Sequence, residues 1–245
     1  MNVFRSGVNK DFLICQMDIL GDALTDHYTK NDGQILWLNN NYDEPEEMPV
    51  DVFFREEEEI TFLETEALNQ CRGRILDVGA GVGSHALILQ NRGLDVSALE
   101  LSTGACTIMH SRGVEKIHPI NFYSFENERF DTLLFMMNGI GISGTLENLP
   151  YLFNHCKKLL NPGGQLLFDS SDISYLYSDI PYPKNKYYGQ VSYQYQYKGM
   201  KGDWFDWLYI DQSMLKKVSK AAGFVLSILF EDEQDQYLAK LTPNR

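Results

Sequence analysis

The stretch Ile75-Leu76-Asp77-Val78-Gly79-Ala80-Gly81-Val82-Gly83-Ser84-His85 decides how this chain reads. An apolar run ends next to an acid, three glycines alternate with small residues, and a polar pair follows. That pattern predicts a strand, a tight turn and a helix start. Glycine lets the backbone turn with positive φ and approach a ligand closely. The free N–H groups at the helix start suit a carboxylate or a phosphate. Glu100 lies 21 residues beyond Gly79, at the end of the next apolar run. An acid there is placed to accept hydrogen bonds from a ribose diol.

Working outward, residues 71–170 alternate strand and helix. Strands are expected at Arg74 to Val78, Asp95 to Leu99, Lys116 to Ile120, Thr132 to Met136 and Gln165 to Phe168. Helices are expected at Ser84 to Arg92, Thr103 to Arg112 and Thr145 to Leu160, with Gly93 and Gly113 as stops. Strands alternating with helices of this length imply right-handed βαβ units and a doubly wound, mostly parallel sheet. Residues 1–70 read as an N-terminal helical cap, with helices at Met17 to Thr29 and from about Glu56 to Gln70 and a short apolar run at Ile35 to Leu38. Residues 171–210 read as an aromatic β-hairpin insert: Val191, Tyr193, Tyr195 and Tyr197 alternate with polar residues, and Trp204 to Ile210 returns. Residues 211–245 read as a final helix, Gln212 to Ala222, and an antiparallel pair, Val225 to Phe230 with Tyr237 to Leu241. The expectation is one domain with a seven-stranded sheet.

With 245 residues, 44% hydrophobic and 22% charged, the chain can fill one large α/β core. No apolar run reaches the roughly 20 residues that cross a bilayer, and Met1 to Asp11 lacks a secretory pattern, so a cytoplasmic protein with no membrane partner is expected. Cys15, Cys71, Cys106 and Cys156 are too scattered for a disulfide framework or a zinc site and read as reduced thiols. The net charge of −13 repels nucleic acid at long range. The segment Asp43 to Glu66 holds eleven acids and one base, Arg55, and reads as solvated acids with Glu56 to Glu59 at a helix start.

Two nucleotide cofactors suit a glycine turn followed by an acid. A dinucleotide asks for G-x-G-x-x-G, whereas here the spacing is G-x-G-x-G and Ser84 stands where the third glycine should be. Asp77 would repel a pyrophosphate but attract a sulfonium and an ammonium group. The electrostatics point to S-adenosylmethionine.

The glycine stretch resembles the first motif of class I S-adenosylmethionine-dependent methyltransferases. Leu99-Glu100-Leu101-Ser102 resembles the family's ribose-binding acid, and Leu160-Asn161-Pro162-Gly163-Gly164-Gln165 its turn before strand five. The resemblance implies that Asp77, Gly79, Ala80, Gly81 and Gly83 hold the methionine end of S-adenosylmethionine. It implies Glu100 on the ribose and Leu101 against the adenine, with Asn121 and Phe122 around the adenine amine. Asn121 departs from the commoner Asp. Asn138 and Gly139 stand after strand four, where the methyl group usually faces the substrate.

Methyl transfer from a sulfonium needs mainly proximity, and a general base only when the nucleophile arrives protonated. His85, Asn138, Asp169 and Asp172 are the candidates for catalytic or orienting roles. A metal would need a third carboxylate after strand four, where Asn138 stands, so none is expected. The implied activity is methyl transfer to a small-molecule O, N or C nucleophile. A peptide or protein acceptor and a non-enzymatic cofactor-binding module are the alternatives. The sequence carries no motif for the acceptor and none for the oligomeric state.

Overall fold

The computed structural model describes residues 17–30 and 34–244. The readings made on Met1 to Asp11 and on Cys15 lie outside that set. Helix α1 (Ile19–Lys30) is capped by Asp18, whose Oδ1 accepts the Gly21 N–H at 2.9 Å. Strands β1 (Leu36–Asn40) and β2 (Glu46–Met48) follow. Helix α2 (Phe62–Gln70) begins later than the expected Glu56. A capping box sets its start: the Thr61 side chain accepts the Glu64 N–H while Glu64 accepts the Thr61 N–H. The acids Glu56 to Glu59 therefore form a turn ahead of the helix and not its first turn.

The core continues as β3 (Arg74–Val78), α3 (Ser84–Asn91), β4 (Asp95–Glu100), α4 (Thr103–Arg112), β5 (Ile117–Pro119), β6 (Phe130–Phe135), α5 (Leu149–Leu159) and β7 (Leu160–Ser171). Helix α5 starts four residues after the expected Thr145, with a proline in its first turn, where the missing N–H costs nothing. Strand β7 is longer than expected because Leu160 already pairs with Phe130, and the register then shifts before Thr132 pairs with Gln165. The chain ends with β8 (Gln190–Tyr197), β9 (Met200–Lys201), β10 (Phe205–Leu208), α6 (Gln212–Ala221), β11 (Phe224–Glu231) and β12 (Gln236–Pro243).

Seven strands form one sheet in the order β11-β12-β7-β6-β3-β4-β5. The pairs β6–β7, β3–β6, β3–β4 and β4–β5 are parallel, and β12 runs antiparallel to both its neighbours. Side chains alternate between two apolar layers. Leu76, Val78, Leu133, Phe135, Leu166 and Phe168 face α5 and α6, where Leu152, Phe153, Cys156 and Leu215 are buried. Ile75, Leu134 and Leu167 face the opposite layer, filled by Leu63, Ala67, Leu89 and Met109 from α2, α3 and α4. Cys71, Cys106 and Cys156 are free and buried.

The N-terminal segment is not purely helical, as the sequence reading has it. Strands β1 and β2 join β8 and β10 in a second, antiparallel sheet of order β10-β8-β1-β2, with β9 paired to β8. Glu46–Met48 is too short and too acidic to show a strand signal, and Leu36–Asn40 is an apolar run only at its start. Helix α1 packs on this sheet through Ile19 and Ala23 against Leu36 and Tyr197.

Helix α1 also crosses α4 at close range. A Cβ added at Gly104 would lie 2.7 Å from the Gly21 Cα, so only glycine permits the crossing. Asp18 Oδ2 holds it in place by accepting the Ser102 hydroxyl at 2.8 Å and the Gly104 N–H at 3.0 Å. Gly104→Val should undock α1 and cost about 1–3 kcal/mol through overpacking. Amide hydrogen exchange should accelerate over residues 19–30 and stay slow in β3, β6 and β7. Unchanged exchange in α1 would show that the crossing does not depend on glycine.

Candidate functional site

Strand β3 lies between β6 and β4, and the glycine turn leaves its carboxyl end. The N–H groups of Gly79 and Ala80 donate to the Leu99 carbonyl at 2.9 and 3.1 Å, which ties the turn to the end of β4. Gly79 has φ 72°, and a Cβ placed there would meet nothing within 4 Å. The turn thus presents an open face at Gly79. At Gly81 (φ 56°) the added Cβ would lie 3.2 Å from the Phe53 ring, so a residue outside the motif roofs the turn. Ser84 fixes that roof by donating its hydroxyl to the Phe53 carbonyl at 2.7 Å.

Glu100 sits at the end of β4 and faces the same turn. Its Oε2 accepts the Gly81 N–H at 2.9 Å, and its Oε1 accepts the N–H groups of Leu101 and Ser102 at 2.7 and 2.8 Å. Burial raises its pKa, against the pull of those three N–H groups. A carboxylate keeps about four lone-pair sites, so one position remains for a ligand hydroxyl. Leu101 is 62% exposed beside it, an apolar side chain turned outward with no core to join.

Asp77 is 2% exposed, and its Oδ2 has no hydrogen-bond partner. Burial pushes its pKa up to about 6, against the pull of the His85 charge and the Ala86 N–H, while Glu100 adds to the rise. His85, from the first turn of α3, is buried and bonds Glu64 Oε1 through Nε2 at 2.8 Å. Glu64 also receives both Arg55 nitrogens, at 2.6 and 2.8 Å, and the Thr61 N–H at 2.8 Å. Burial opposes the Glu64 charge, yet these bonds hold its pKa well below the usual range. Burial likewise opposes the His85 charge, but Glu64 and Asp77 outweigh it and raise the imidazole pKa.

After β6 the backbone takes two consecutive left-handed residues, Met137 (φ 58°) and Asn138 (φ 55°). Asp169 on β7 accepts the Asn138 N–H with both oxygens, at 3.0 and 2.9 Å, and the Gln236 amide at 3.1 Å. Burial pushes the Asp169 pKa up to about 6 despite these bonds. The Asn138 side chain donates to the Leu208 carbonyl at 3.2 Å and accepts the Ser170 hydroxyl at 2.8 Å. Asn138 thus joins β6 to β10 of the second sheet. Trp207 leans on the next turn: a Cβ at Gly141 would lie 2.2 Å from its indole nitrogen.

The sequence candidates therefore separate. Asp77, Gly79, Ala80, Gly81, Gly83 and Glu100 come together at one turn, with Leu101 exposed at its rim. Asn138 and Gly139 stand at the next strand end, and Asp169 holds their turn from below. Asp172 lies apart and caps its own loop, accepting the Ser174 N–H at 2.9 Å and the Tyr188 hydroxyl at 2.8 Å. Asn121 caps the turn Phe122–Ser124 by accepting the Tyr123 N–H, and the Phe122 ring points into the core against Phe135 and His155. The sequence reading missed Phe53, Arg55 and Glu64. Thr61-x-x-Glu64 carries a capping-box signature that could have located Glu64. Among the described residues no group of three or more His, Cys, Asp or Glu could hold a metal ion.

A buried orphan carboxylate oxygen, an open glycine face and a strand-end acid suit a cationic nucleoside. A family model described as a methyltransferase domain matches residues 54–227. The chain is 39% identical to an S-adenosylmethionine-dependent methyltransferase from Bacteroides fragilis, whose crystal structure holds S-adenosyl-L-homocysteine. The match covers 93% of this chain and 95% of that one, with a TM-score of 0.87. The sugar N-methyltransferase KedS8 from Streptoalloteichus sp. ATCC 53650 shares the fold at 16% identity, over 84% of this chain and 97% of that one, with a TM-score of 0.58. An S-adenosylmethionine-dependent methyltransferase from Clostridium acetobutylicum ATCC 824 does so at 14% identity, over 77% and 94%, with a TM-score of 0.57. No curated protein sequence matches the chain.

Glu100→Gln keeps one oxygen for the backbone N–H groups but removes the charge that strengthens a ribose bond. Calorimetry with S-adenosylhomocysteine should show about tenfold weaker binding, or about 1.4 kcal/mol. Wild-type affinity would mean that Glu100 serves the turn alone.

Proposed function

The chain belongs to the class I S-adenosylmethionine-dependent methyltransferases, and from that premise we propose that it methylates a small-molecule O, N or C nucleophile. S-adenosylmethionine is the cofactor; when bound it supplies an electrophilic methyl group with a neutral thioether as leaving group. Asp77, Ala80 and the glycines of the turn would hold its cationic end, and Glu100 its ribose, with Leu101 against the adenine. None of these residues has to move a proton. Their task is to fix the methyl group in line with the acceptor, and orientation of that kind supplies most of the rate.

The observation that carries the small-molecule reading is the seating of Trp207 against Gly141, at the strand end next to the glycine turn. The acceptor edge is thereby walled by aromatic side chains. Phe205 and Trp207 pack with Val191, Tyr193, Tyr209 and Ile173 in one cluster. Three phenols run through it: Tyr209 and Tyr193 oxygens are 3.3 Å apart, Tyr193 and Tyr42 3.4 Å, and Tyr42 donates to Glu46 at 2.8 Å. Large aromatic faces with polar tips suit a small ligand that must be both buried and oriented. A net charge of −13 argues against a nucleic acid acceptor. No helix of the described residues is long and apolar enough to cross a membrane. Free cysteines fit a reducing, cytoplasmic setting.

The test is release of S-adenosylhomocysteine in the presence of small hydroxyl, amine and carbon nucleophiles, compared with peptides, folded proteins and RNA. Turnover is expected with small molecules alone. Turnover confined to peptides or proteins would replace this reading with the protein-modifying one. With the accepted small molecule, Trp207→Ala should lower kcat/KM on the order of tenfold or more while leaving S-adenosylhomocysteine affinity within about twofold.

A further inference from the structure

Beneath the glycine turn four ionisable side chains follow one another: Arg55, Glu64, His85 and Asp77. We propose that Arg55, Glu64 and His85 form a relay that keeps the Asp77 carboxylate ionised under the turn and so sets the affinity for the cationic cofactor. The proposal rests on the cofactor assignment and adds three positioning residues that lie outside the glycine motif or serve it from beneath.

Hydrogen bonds fix the first two links, and the third is the electrostatic pull of His85 on the buried Asp77 carboxylate, whose Oδ2 has no partner. Both Arg55 nitrogens reach both Glu64 oxygens, the bidentate arrangement that best matches guanidinium to carboxylate. The remaining Glu64 positions are taken by the Thr61 N–H and by His85 Nε2, so its four acceptor sites are full. An ionised carboxylate can only accept, so His85 must donate at Nε2. A proton on the other ring nitrogen as well gives the ring a positive charge between two carboxylates. Glu64 cannot serve Asp77 directly, since like charges would repel. His85 converts the negative end of one pair into the positive neighbour of the other.

The surroundings of Asp77 make this conversion necessary. Its Oδ2 is buried without a partner. Glu100 faces it and works against its charge, and Cys71 facing it is an un-ionised thiol, raised to about 12 by burial first and then by Asp77 itself. His85 is the positive group facing it, with the Ala86 N–H beside it. The four charges Arg55, Glu64, His85 and Asp77 sum to zero. With His85 neutral, Arg55 and Glu64 still cancel, and Asp77 would be left as a lone buried anion that takes up a proton.

The direction with pH follows. Burial pushes the Asp77 pKa up to about 6. Asp77 is therefore ionised at neutral pH, and affinity for a cation should fall as pH drops through about 6. Removing the His85 charge raises the Asp77 pKa further, so the midpoint moves to higher pH. S-adenosylmethionine carries a sulfonium and an ammonium group. Adenosine carries neither and reports the ribose and adenine contacts alone.

Calorimetric titrations with S-adenosylmethionine and with adenosine, from about pH 5 to about pH 9, separate the two. His85→Gln retains a donor toward Glu64 and loses the charge. It should weaken S-adenosylmethionine about tenfold at neutral pH and move the midpoint up by more than about one unit, with adenosine unchanged within about twofold. Arg55→Gln should shift the midpoint the same way by less. A His85→Gln profile identical to the wild type, or equal losses for both ligands, would overturn the relay. If His85→Gln does not fold, nitrogen-15 NMR of the wild-type protein without ligand decides: a doubly protonated His85 ring at neutral pH supports the relay, and a neutral ring sinks it. That measurement involves no cofactor, so a failure of the cofactor assignment would show separately, as a wild-type protein that binds adenosine and S-adenosylmethionine equally at every pH.

Discussion

A buried carboxylate with one unpartnered oxygen is the constraint around which this protein is arranged. Removing Asp77 from water costs several kcal/mol unless a charge is supplied nearby. The structure supplies it at one remove. His85 faces Asp77, Glu64 keeps His85 charged, and Arg55 keeps Glu64 ionised. That requirement brings the segment before α2 onto the glycine turn, where Phe53 roofs Gly81 and Ser84 clasps the Phe53 carbonyl. The same segment is held from outside by Arg112, which donates to the Val82 carbonyl and the Ser84 hydroxyl and lies over the Phe54 ring. A cofactor site described only by its glycines and its strand-end acid leaves out the residues that make its central charge tenable.

The second constraint lies one strand away. Left-handed backbone at a side-chain-bearing residue costs on the order of 1–3 kcal/mol, and Met137 and Asn138 take it in succession. Asp169 spends both oxygens on the Asn138 N–H, and the Asn138 amide bridges Ser170 and Leu208. Ser170 in turn accepts the Ile210 N–H at 3.1 Å. These bonds fasten the second sheet to the strand end where transfer chemistry belongs. Asp169 and Asn138 are thus committed to shaping the edge, which leaves the aromatic residues of β10 and its neighbours to meet an acceptor.

The parallel sheet and the turn at which the proposed cofactor residues gather were legible in the sequence because each rests on a local rule. Asp77 to Gly83 follow from strand–turn–helix chemistry, and Glu100 from its place at the next strand end. The antiparallel sheet was legible only in its β8 half, where Tyr193, Tyr195 and Tyr197 alternate with polar residues. Its partners β1 and β2 lie about 150 residues earlier, and pairings at that separation leave no periodicity to read. Arg55 and Glu64 were hidden for a different reason. The other ten acids from Asp43 to Glu66 are ordinary solvated side chains by pattern, and only the capping-box spacing from Thr61 sets Glu64 apart in the sequence. Phe122 shows the limit of position: it occupies the expected place after β5, yet its ring fills the core.

The two similarities cover different parts of the chain. The family model spans residues 54–227 and so leaves out α1, β1 and β2. It contains β3 to β7 of the first sheet and β8 to β10 of the second. The structures at 14–16% identity share the fold. The Bacteroides fragilis enzyme matches over 93% of the chain, and so reaches beyond the family segment into the N-terminal elements. Under the proposed function, the acceptor would be recognised by the shape and polar tips of the aromatic cluster. The two sheets meet through the Asn138 bridge, the Trp207 face and helix α1, which packs on the second sheet and crosses α4. Inference about the acceptor therefore transfers best along relatives that keep the second sheet, and the cofactor motifs, however specific, carry none of it.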